Sequence, residues 1–398
     1  MLSKRAQNLK PSPTLALVAK AKELASQGHN VLSLTVGEPD WNTFEIASQA
    51  GIEAIEKGIT KYTPANGTLE LRQAIAQKMK NELGLEYTAK QISVASGAKF
   101  VIFAALQMIC SPGDEVIIAT PYWVSYPTMV ELADGVPHIV ECGEKENFKI
   151  TPEKLEKAIN AKTRAFLFCS PSNPTSLLYT EAELKALGEV LKKHPQVTII
   201  SDDIYNNLIF NGKKVAPHIL QTTPELKDRT IAINGGSKAY SMTGWRIGWA
   251  AGPEAIITAM ADYQSQSTGS PSSISQHAVL AAIKHCDPDI TKVVHKLIGR
   301  CEFGMKEFAR IPEFKVAKPE GAFYFWVDIK KCLGKKYQGT AINTSKDFCG
   351  VLLEKFFVAT VPGIECGSEG YMRLSFAVSE DTMKRAVDRM SEFVQGLA

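Results

Sequence analysis

The stretch Asn234-Gly-Gly-Ser-Lys-Ala-Tyr-Ser-Met-Thr-Gly-Trp-Arg-Ile-Gly248 decides how the chain is read. Before it, Thr230-Ile-Ala-Ile is a short β-branched run that reads as a buried strand. Ile247-Gly-Trp-Ala-Ala-Gly, at its end, reads as another. Between them Lys238 lies among small residues, with Arg246 a few positions on. A lysine flanked by small groups can approach a flat ligand closely, and partial desolvation lowers its pKa toward nucleophilic use. An arginine nearby can fork onto a phosphate. An amine and an anion anchor at fixed spacing suit a flat phosphorylated aldehyde held covalently. A surface lysine on a solvated loop is the other reading of such a pair, and the flanking chain has to choose.

Upstream, apolar runs alternate with helical patterns. Gln91-Ile-Ser-Val-Ala is a strand, and Ser96-Gly97-Ala98-Lys99 opens a helix that continues to Cys110. Small residues at such a junction leave N–H groups pointing outward at the positive end of the helix dipole, a phosphate cup. Gly-rich strand–helix turns also occur for packing alone. Val116-Ile-Ile-Ala ends at Pro121-Tyr-Trp-Val-Ser-Tyr, where Trp123 either stacks on a planar ring or packs in the core. Thr163 to Cys169 is a strand running into Ser170-Pro-Ser-Asn173-Pro174-Thr175, whose Asn amide can donate to a phenolate oxygen. Val197-Thr-Ile-Ile-Ser runs into Asp202-Asp203-Ile-Tyr205. A carboxylate at the end of an apolar strand needs a partner, such as a protonated ring nitrogen, unless it caps a helix. Strands alternating with helices imply βαβ units and a mainly parallel sheet, with the candidate residues just beyond the strand C-termini, where open α/β sheets bind ligands.

The outer parts of the chain read differently. Residues 12–27 carry a helical pattern that stops at Gly28, and Val31 to Val36 alternates like a strand leading into Gly37-Glu-Pro-Asp, a tight bend that exposes its own backbone groups. After about Pro288 a long helix gives way to short strands, Gly321 to Asp328 and Tyr371-Met-Arg373-Leu-Ser-Phe, and a final helix runs from Ser379 to Val394. This pattern predicts a smaller α+β domain built from 1–44 and 291–398, beside a large domain at 45–290.

Composition narrows the function classes. The chain has 398 residues, 45% hydrophobic and 22% charged, with a net charge of +3, so no basic field points to nucleic acid. No apolar run approaches the ~20 residues that span a bilayer, and Met1 to Lys10 lacks the apolar core of a secretory signal. Eight cysteines form no Cys-x-x-Cys pair, consistent with reduced thiols and a cytoplasmic setting, and seven histidines show no metal-ligand spacing, so no metal is expected.

Taken together, Gly-Glu-Pro-Asp, Lys61-Tyr-Thr-Pro-Ala-Asn-Gly67, Pro-Tyr-Trp-Val-Ser-Tyr-Pro, Ser-Asn-Pro-Thr, Ser-Asp-Asp-Ile-Tyr, Ser-Lys-Ala-Tyr-Ser-Met-Thr-Gly-Trp-Arg-Ile-Gly and Arg-Leu-Ser-Phe occur in an order that resembles the class I aminotransferases dependent on pyridoxal 5′-phosphate (PLP). The likeness is nearest to bacterial aspartate and aspartate/prephenate enzymes and covers nearly the whole chain. It implies an α/β fold of type I, whose large domain has a mainly parallel seven-stranded sheet sandwiched by helices. It implies that Lys238 forms the Schiff base and shuttles the substrate α-proton, that Asp202 pairs the ring nitrogen, and that Tyr205 and Asn173 bond the ring oxygen. Trp123 would stack on the ring, while Ala98, Lys99 and Arg246 hold the phosphate together with Tyr62 from the other subunit of a homodimer with shared sites. Arg373 and Gly37 would bind the substrate α-carboxylate, with Trp123 and Asn173 beside it, and Lys10 and Lys99 would receive a second carboxylate.

The resemblance further implies transfer of the amino group of L-aspartate to 2-oxoglutarate, with prephenate as an additional substrate. An aromatic or broad-specificity aminotransferase is the alternative within the same chemistry, and a PLP lyase or a PLP-binding regulator lies outside it. Three departures from the family pattern stand out. Ser176 follows Asn-Pro-Thr where glycine is familiar, Asp203 replaces glutamate, and Gly235 stands where some relatives have serine.

Overall fold

The fold was analysed in a computed structural model, which describes residues 1–3, 6, 7, 9 and 13–398. Seven strands form the main sheet, in the spatial order Ile92–Ala95, Gly248–Ala251, Thr230–Gly235, Thr198–Asp202, Thr163–Cys169, Glu115–Ala119 and Val136–Val140. The ladders from Val136–Val140 across to Thr230–Gly235 are parallel. Gly248–Ala251 runs antiparallel to both its neighbours. The segment between Gly235 and Gly248 contains no crossover helix, so the chain turns back on itself and returns antiparallel. Gly248–Ala251 and Thr198–Asp202 are buried along their whole length, and the other inner strands over most of theirs, as a sheet covered by helices on both faces requires.

Val136–Val140 was not legible as a strand, because Pro137 and His138 interrupt its apolar pattern. It sits at the sheet edge, where a missing proline N–H can face away from the ladder. The Val31–Val36 run, expected as one strand, pairs only at Leu32–Ser33, with Val358–Ala359. Beyond it the backbone serves other partners: the Leu34 carbonyl accepts from the Ser375 N–H at 2.8 Å, and the Thr35 carbonyl accepts from Arg373 Nη2 at 2.6 Å.

The helices start and stop where their caps dictate. Leu69–Leu83 opens at Thr68, whose hydroxyl accepts from the Leu71 N–H, and closes at Gly84 in the left-handed region, φ 70°. Ala98–Ile109 follows Gly97, φ 93°. The C-terminal helix Glu380–Gln395 is capped by Ser379. A second, antiparallel sheet orders Val361–Pro362, Tyr371–Ser375, Tyr324–Asp328 and Lys315–Val316, with Trp326 opposite Arg373 and Tyr324 opposite Ser375. Asp287–Phe308, Ser345–Phe356 and the C-terminal helix cover it, burying Phe348, Leu352, Met390 and Phe393.

The serine that departs from the family pattern ties the two sheets together. Ser176 adopts φ 59°, a conformation that costs a residue with a Cβ about 1 kcal/mol. Its hydroxyl accepts from the Tyr324 N–H at 2.9 Å, and its carbonyl accepts from the N–H groups of Glu320 and Gly321. Ser176→Ala keeps the strain and orphans a buried N–H, a loss of roughly 1–3 kcal/mol. Ser176→Gly relieves the strain but orphans the same donor. Thermal unfolding is therefore expected to rank the wild type above Ser176→Gly, and Ser176→Gly above Ser176→Ala; an alanine variant as stable as the wild type would show that the hydroxyl contributes nothing.

Candidate active site

A cavity of about 270 Å³ opens at the C-terminal ends of the parallel strands and is closed from the far side by the smaller sheet. Strand Thr198–Asp202 delivers Asp202 to its floor, Thr163–Cys169 leads to Asn173, and the turn after Thr230–Gly235 delivers Lys238. Tyr324 and Arg373 enter from the smaller sheet.

Lys238 lies deep in the site with one edge open to the cavity. Its ammonium donates to the Gly37 carbonyl at 2.5 Å. Burial lowers its pKa from 10.5 to about 8; Glu38 opposes the shift, and Arg246 and Arg373 reinforce it. Asp202 is buried, and burial raises its pKa to about 6 against the opposing hydrogen bond from Tyr126. The Tyr126 hydroxyl donates to Asp202 Oδ2 at 2.6 Å and the Ile204 N–H donates to Oδ1 at 3.3 Å.

Arg373 is buried and donates to Asn173 Oδ1 at 2.9 Å and to the Thr35 carbonyl, while its Nε has no partner among the described residues. With its oxygen committed to Arg373, the Asn173 amide has its NH₂ group left to donate. Tyr205 and Tyr324 share a hydrogen bond between hydroxyls at 2.7 Å.

The far end of the cavity is a cationic cup. Two glycines permit the close approaches there: a Cβ on Gly97 would overlap the Arg246 guanidinium, and one on Gly248 would overlap the Ala98 backbone N–H. Arg246 itself has φ 52° and donates to the Thr243 carbonyl at 2.8 Å. Lys99 lies 4.8 Å from the Trp123 ring centre, and burial, then Arg246, hold its amine below the ordinary range. Trp123 meets Tyr126 edge to face at 5.4 Å.

The cavity thus gathers Gly37, Ala98, Lys99, Trp123, Asn173, Asp202, Tyr205, Lys238, Arg246 and Arg373. Tyr62 is not among its lining; the side chain is fully exposed. Lys10 lies outside the described residues. Two tyrosines of the site escaped the sequence reading. Tyr126 ends the Pro-Tyr-Trp-Val-Ser-Tyr run and Tyr324 sits in an apolar strand, and neither pattern separates a site residue from a core one. The other departures are local. A Cβ on Gly235 would lie 2.8 Å from the Ile247 carbonyl oxygen, so glycine fits this packing. Asp203 is fixed by the Ser201 hydroxyl at 2.7 Å and by His218 Nε2 at 3.3 Å.

An amine that sheds its proton near neutrality can take up an aldehyde as an imine, and a buried carboxylate facing the same cavity can keep a ring nitrogen protonated. The glycine-lined cup with its arginine suits a phosphate. The donor set therefore fits PLP, and the protein is a PLP-dependent transaminase by class. The chain belongs to the family of class I and II aminotransferases, whose family model matches residues 29–390.

It is 45% identical to the aspartate/prephenate aminotransferase of Nitrosomonas europaea, over 99% of each chain. It is also 45% identical to the aspartate aminotransferase of Bacillus subtilis, again over 99% of each. Among solved structures, the aspartate aminotransferase from Rhizobium meliloti superposes with a TM-score of 0.96 at 40% identity, covering 100% of both chains. The aspartate aminotransferase from Thermus thermophilus with maleate gives 0.92 at 37% identity over 99% of each chain.

Because only the neutral amine attacks an aldehyde, the rate at which apoprotein captures PLP is expected to rise roughly tenfold per pH unit below about pH 8 and to level off above it. Stopped-flow absorbance across pH 6–10 measures this. A rate still climbing at pH 10 would mean that burial does not lower the amine.

Proposed function

We propose that this enzyme moves the amino group of L-aspartate to 2-oxoglutarate, giving oxaloacetate and L-glutamate, and that prephenate serves as a second amino acceptor. The observation that carries the reading is Arg373: a buried guanidinium on the cavity wall, oriented by Asn173 and Thr35, on the same cavity as a lysine of lowered basicity. Such a cation selects the carboxylate common to amino and oxo acids. The names of the relatives, several of them aspartate or aspartate/prephenate aminotransferases, support the choice within that class.

In this reading Arg373 clamps the α-carboxylate and Gly37 contacts it through its backbone, with Trp123 and Asn173 beside the substrate. PLP, when bound, supplies an electron sink for the charge left by the departing α-proton. Lys238 takes that proton and returns it to the cofactor side. Asp202 holds the ring nitrogen protonated. Tyr205 and the free NH₂ of Asn173 would donate to the ring oxygen, and Trp123 would pack against the ring. Ala98, Lys99 and Arg246 hold the phosphate, and Lys10 and Lys99 receive the second carboxylate of a dicarboxylic substrate.

We further propose a homodimer in which Tyr62 completes the partner's phosphate cup. Tyr62 is fully exposed in a single chain, and Ile46, Ile52, Ile55 and Ile59, which precede it in the sequence, are exposed as well, the kind of surface a partner would cover. The division into bodies at 45–290 and at 1–44 with 291–398 is proposed on the same reading, as is a cytoplasmic setting, which suits eight free cysteines.

Lys238→Ala is expected to lower transamination roughly 10⁴-fold; normal turnover by this variant in a coupled malate dehydrogenase assay would remove the assignment. Arg373→Lys should lower kcat/KM about a hundredfold for aspartate and for aromatic amino acids alike, because the α-carboxylate is common to both. Tyr62→Phe should weaken PLP about tenfold, in a particle of twice 43.5 kDa by light scattering. A 43.5 kDa particle with full activity would rule out the shared site.

A further inference from the structure

Tyr324 has no part in the reading above, yet it touches three of its components. Its hydroxyl lies 2.7 Å from that of Tyr205, and its ring lies 4.7 Å from the centre of the Arg373 guanidinium. A Cβ built on Gly37 would overlap the Tyr324 hydroxyl, so the ring fills the space which that glycine leaves. The side chain is buried, and its backbone N–H is held by Ser176. It belongs to the smaller sheet, while Tyr205 follows a strand of the main sheet.

A phenol has one proton to give. Burial pushes both phenols above their ordinary range, so the pair meets as two neutral hydroxyls. If Tyr205 spends its proton on the cofactor's ring oxygen, the 2.7 Å contact can persist only with Tyr324 as its donor.

We propose that Tyr324 is a positioning residue: its hydroxyl donates to Tyr205, which directs the Tyr205 proton at the ring oxygen of the cofactor, and its ring, seated between Gly37 and Arg373, ties that donor to the carboxylate seat. This rests on the placement of Tyr205 in the proposed function. A hydroxyl that accepts a hydrogen bond becomes a stronger donor, so the relay increases the negative charge the ring oxygen can carry. The charged and titratable groups facing Tyr324 are Tyr205, Arg373, Cys169 and Cys366, and Lys238 and Asp202 line the same cavity. The Tyr324→Phe substitution leaves the other side chains in place and removes only the hydroxyl that meets Tyr205.

The test is the pH midpoint of the visible absorption band of the holoenzyme, which needs no turnover. Loss of the proton that the bound chromophore carries leaves more charge on the ring oxygen, so a donor there lowers the midpoint and its removal raises it. Tyr324→Phe is expected to raise the midpoint by roughly half to one pH unit, and Tyr205→Phe by more. The double variant should sit where Tyr205→Phe alone sits, because Tyr324 acts through Tyr205.

Gly37→Ala, which pushes the ring out of its seat, should raise the midpoint in the same direction and serves as a second variant should Tyr324→Phe fold poorly. An unmoved midpoint in Tyr324→Phe, or additive shifts in the double variant, would overturn the relay while leaving the site reading intact. An unmoved midpoint in Tyr205→Phe would overturn the site reading itself.

Discussion

An amine and a carboxylate held away from water in one cavity set the terms for the rest of this structure. Moving Lys238 from 10.5 to about 8 and Asp202 from 3.8 to about 6 corresponds to roughly 3 kcal/mol each of disfavoured charge. A fold tolerates that cost only where something repays it in function. On the proposed reading, an imine at the lysine and a ring N–H at the carboxylate would relieve both penalties together. The neighbours are arranged to support this. Tyr126 and the Ile204 N–H keep Asp202 from rising further, and Arg246 and Arg373 add to the lowered basicity of Lys238.

The same cavity is a seam between two sheets. Arg373 reaches from the smaller sheet to Asn173 and Thr35, Ser176 reaches back to the Tyr324 N–H, and Arg300 forks onto Asp40 beside the Gly37 bend at 2.7 and 2.8 Å. These are buried or partly buried polar ties, and a charge in such a tie is costly to leave unpaired. Moving one sheet against the other therefore alters the substrate seat and the surroundings of the cofactor together. Ser176 illustrates the trade. A glycine would relax the turn, and the serine accepts left-handed strain in return for a hydrogen bond across the seam.

Much of the site was legible in the sequence because its chemistry is local. Asp202 ends a short apolar strand, Asn173 and Lys238 stand a few residues past one, and Arg246 stands two residues before one, where β-branched runs and small residues mark the boundary. Tyr324 and Tyr126 were not legible, because an aromatic in an apolar run has the same pattern whether it packs or hydrogen-bonds. Pro137 masked an edge strand for a similar reason: proline argues against a strand unless its position at the edge is known. The antiparallel return of Gly248–Ala251 was also invisible, since sequence gives strands but not their direction.

By itself the sequence determined the alternation of strands and helices, the lysine and arginine set among small residues around position 238, and the family, because these depend on residue type and on neighbours a few positions away. Only the tertiary structure decided that Arg373 meets Asn173 across 200 positions, that Tyr324 meets Tyr205, and that Tyr62 lies exposed, outside the lining of its own chain's cavity. Those contacts come from how two sheets close on each other, and that closure is fixed by packing and desolvation summed over the whole chain.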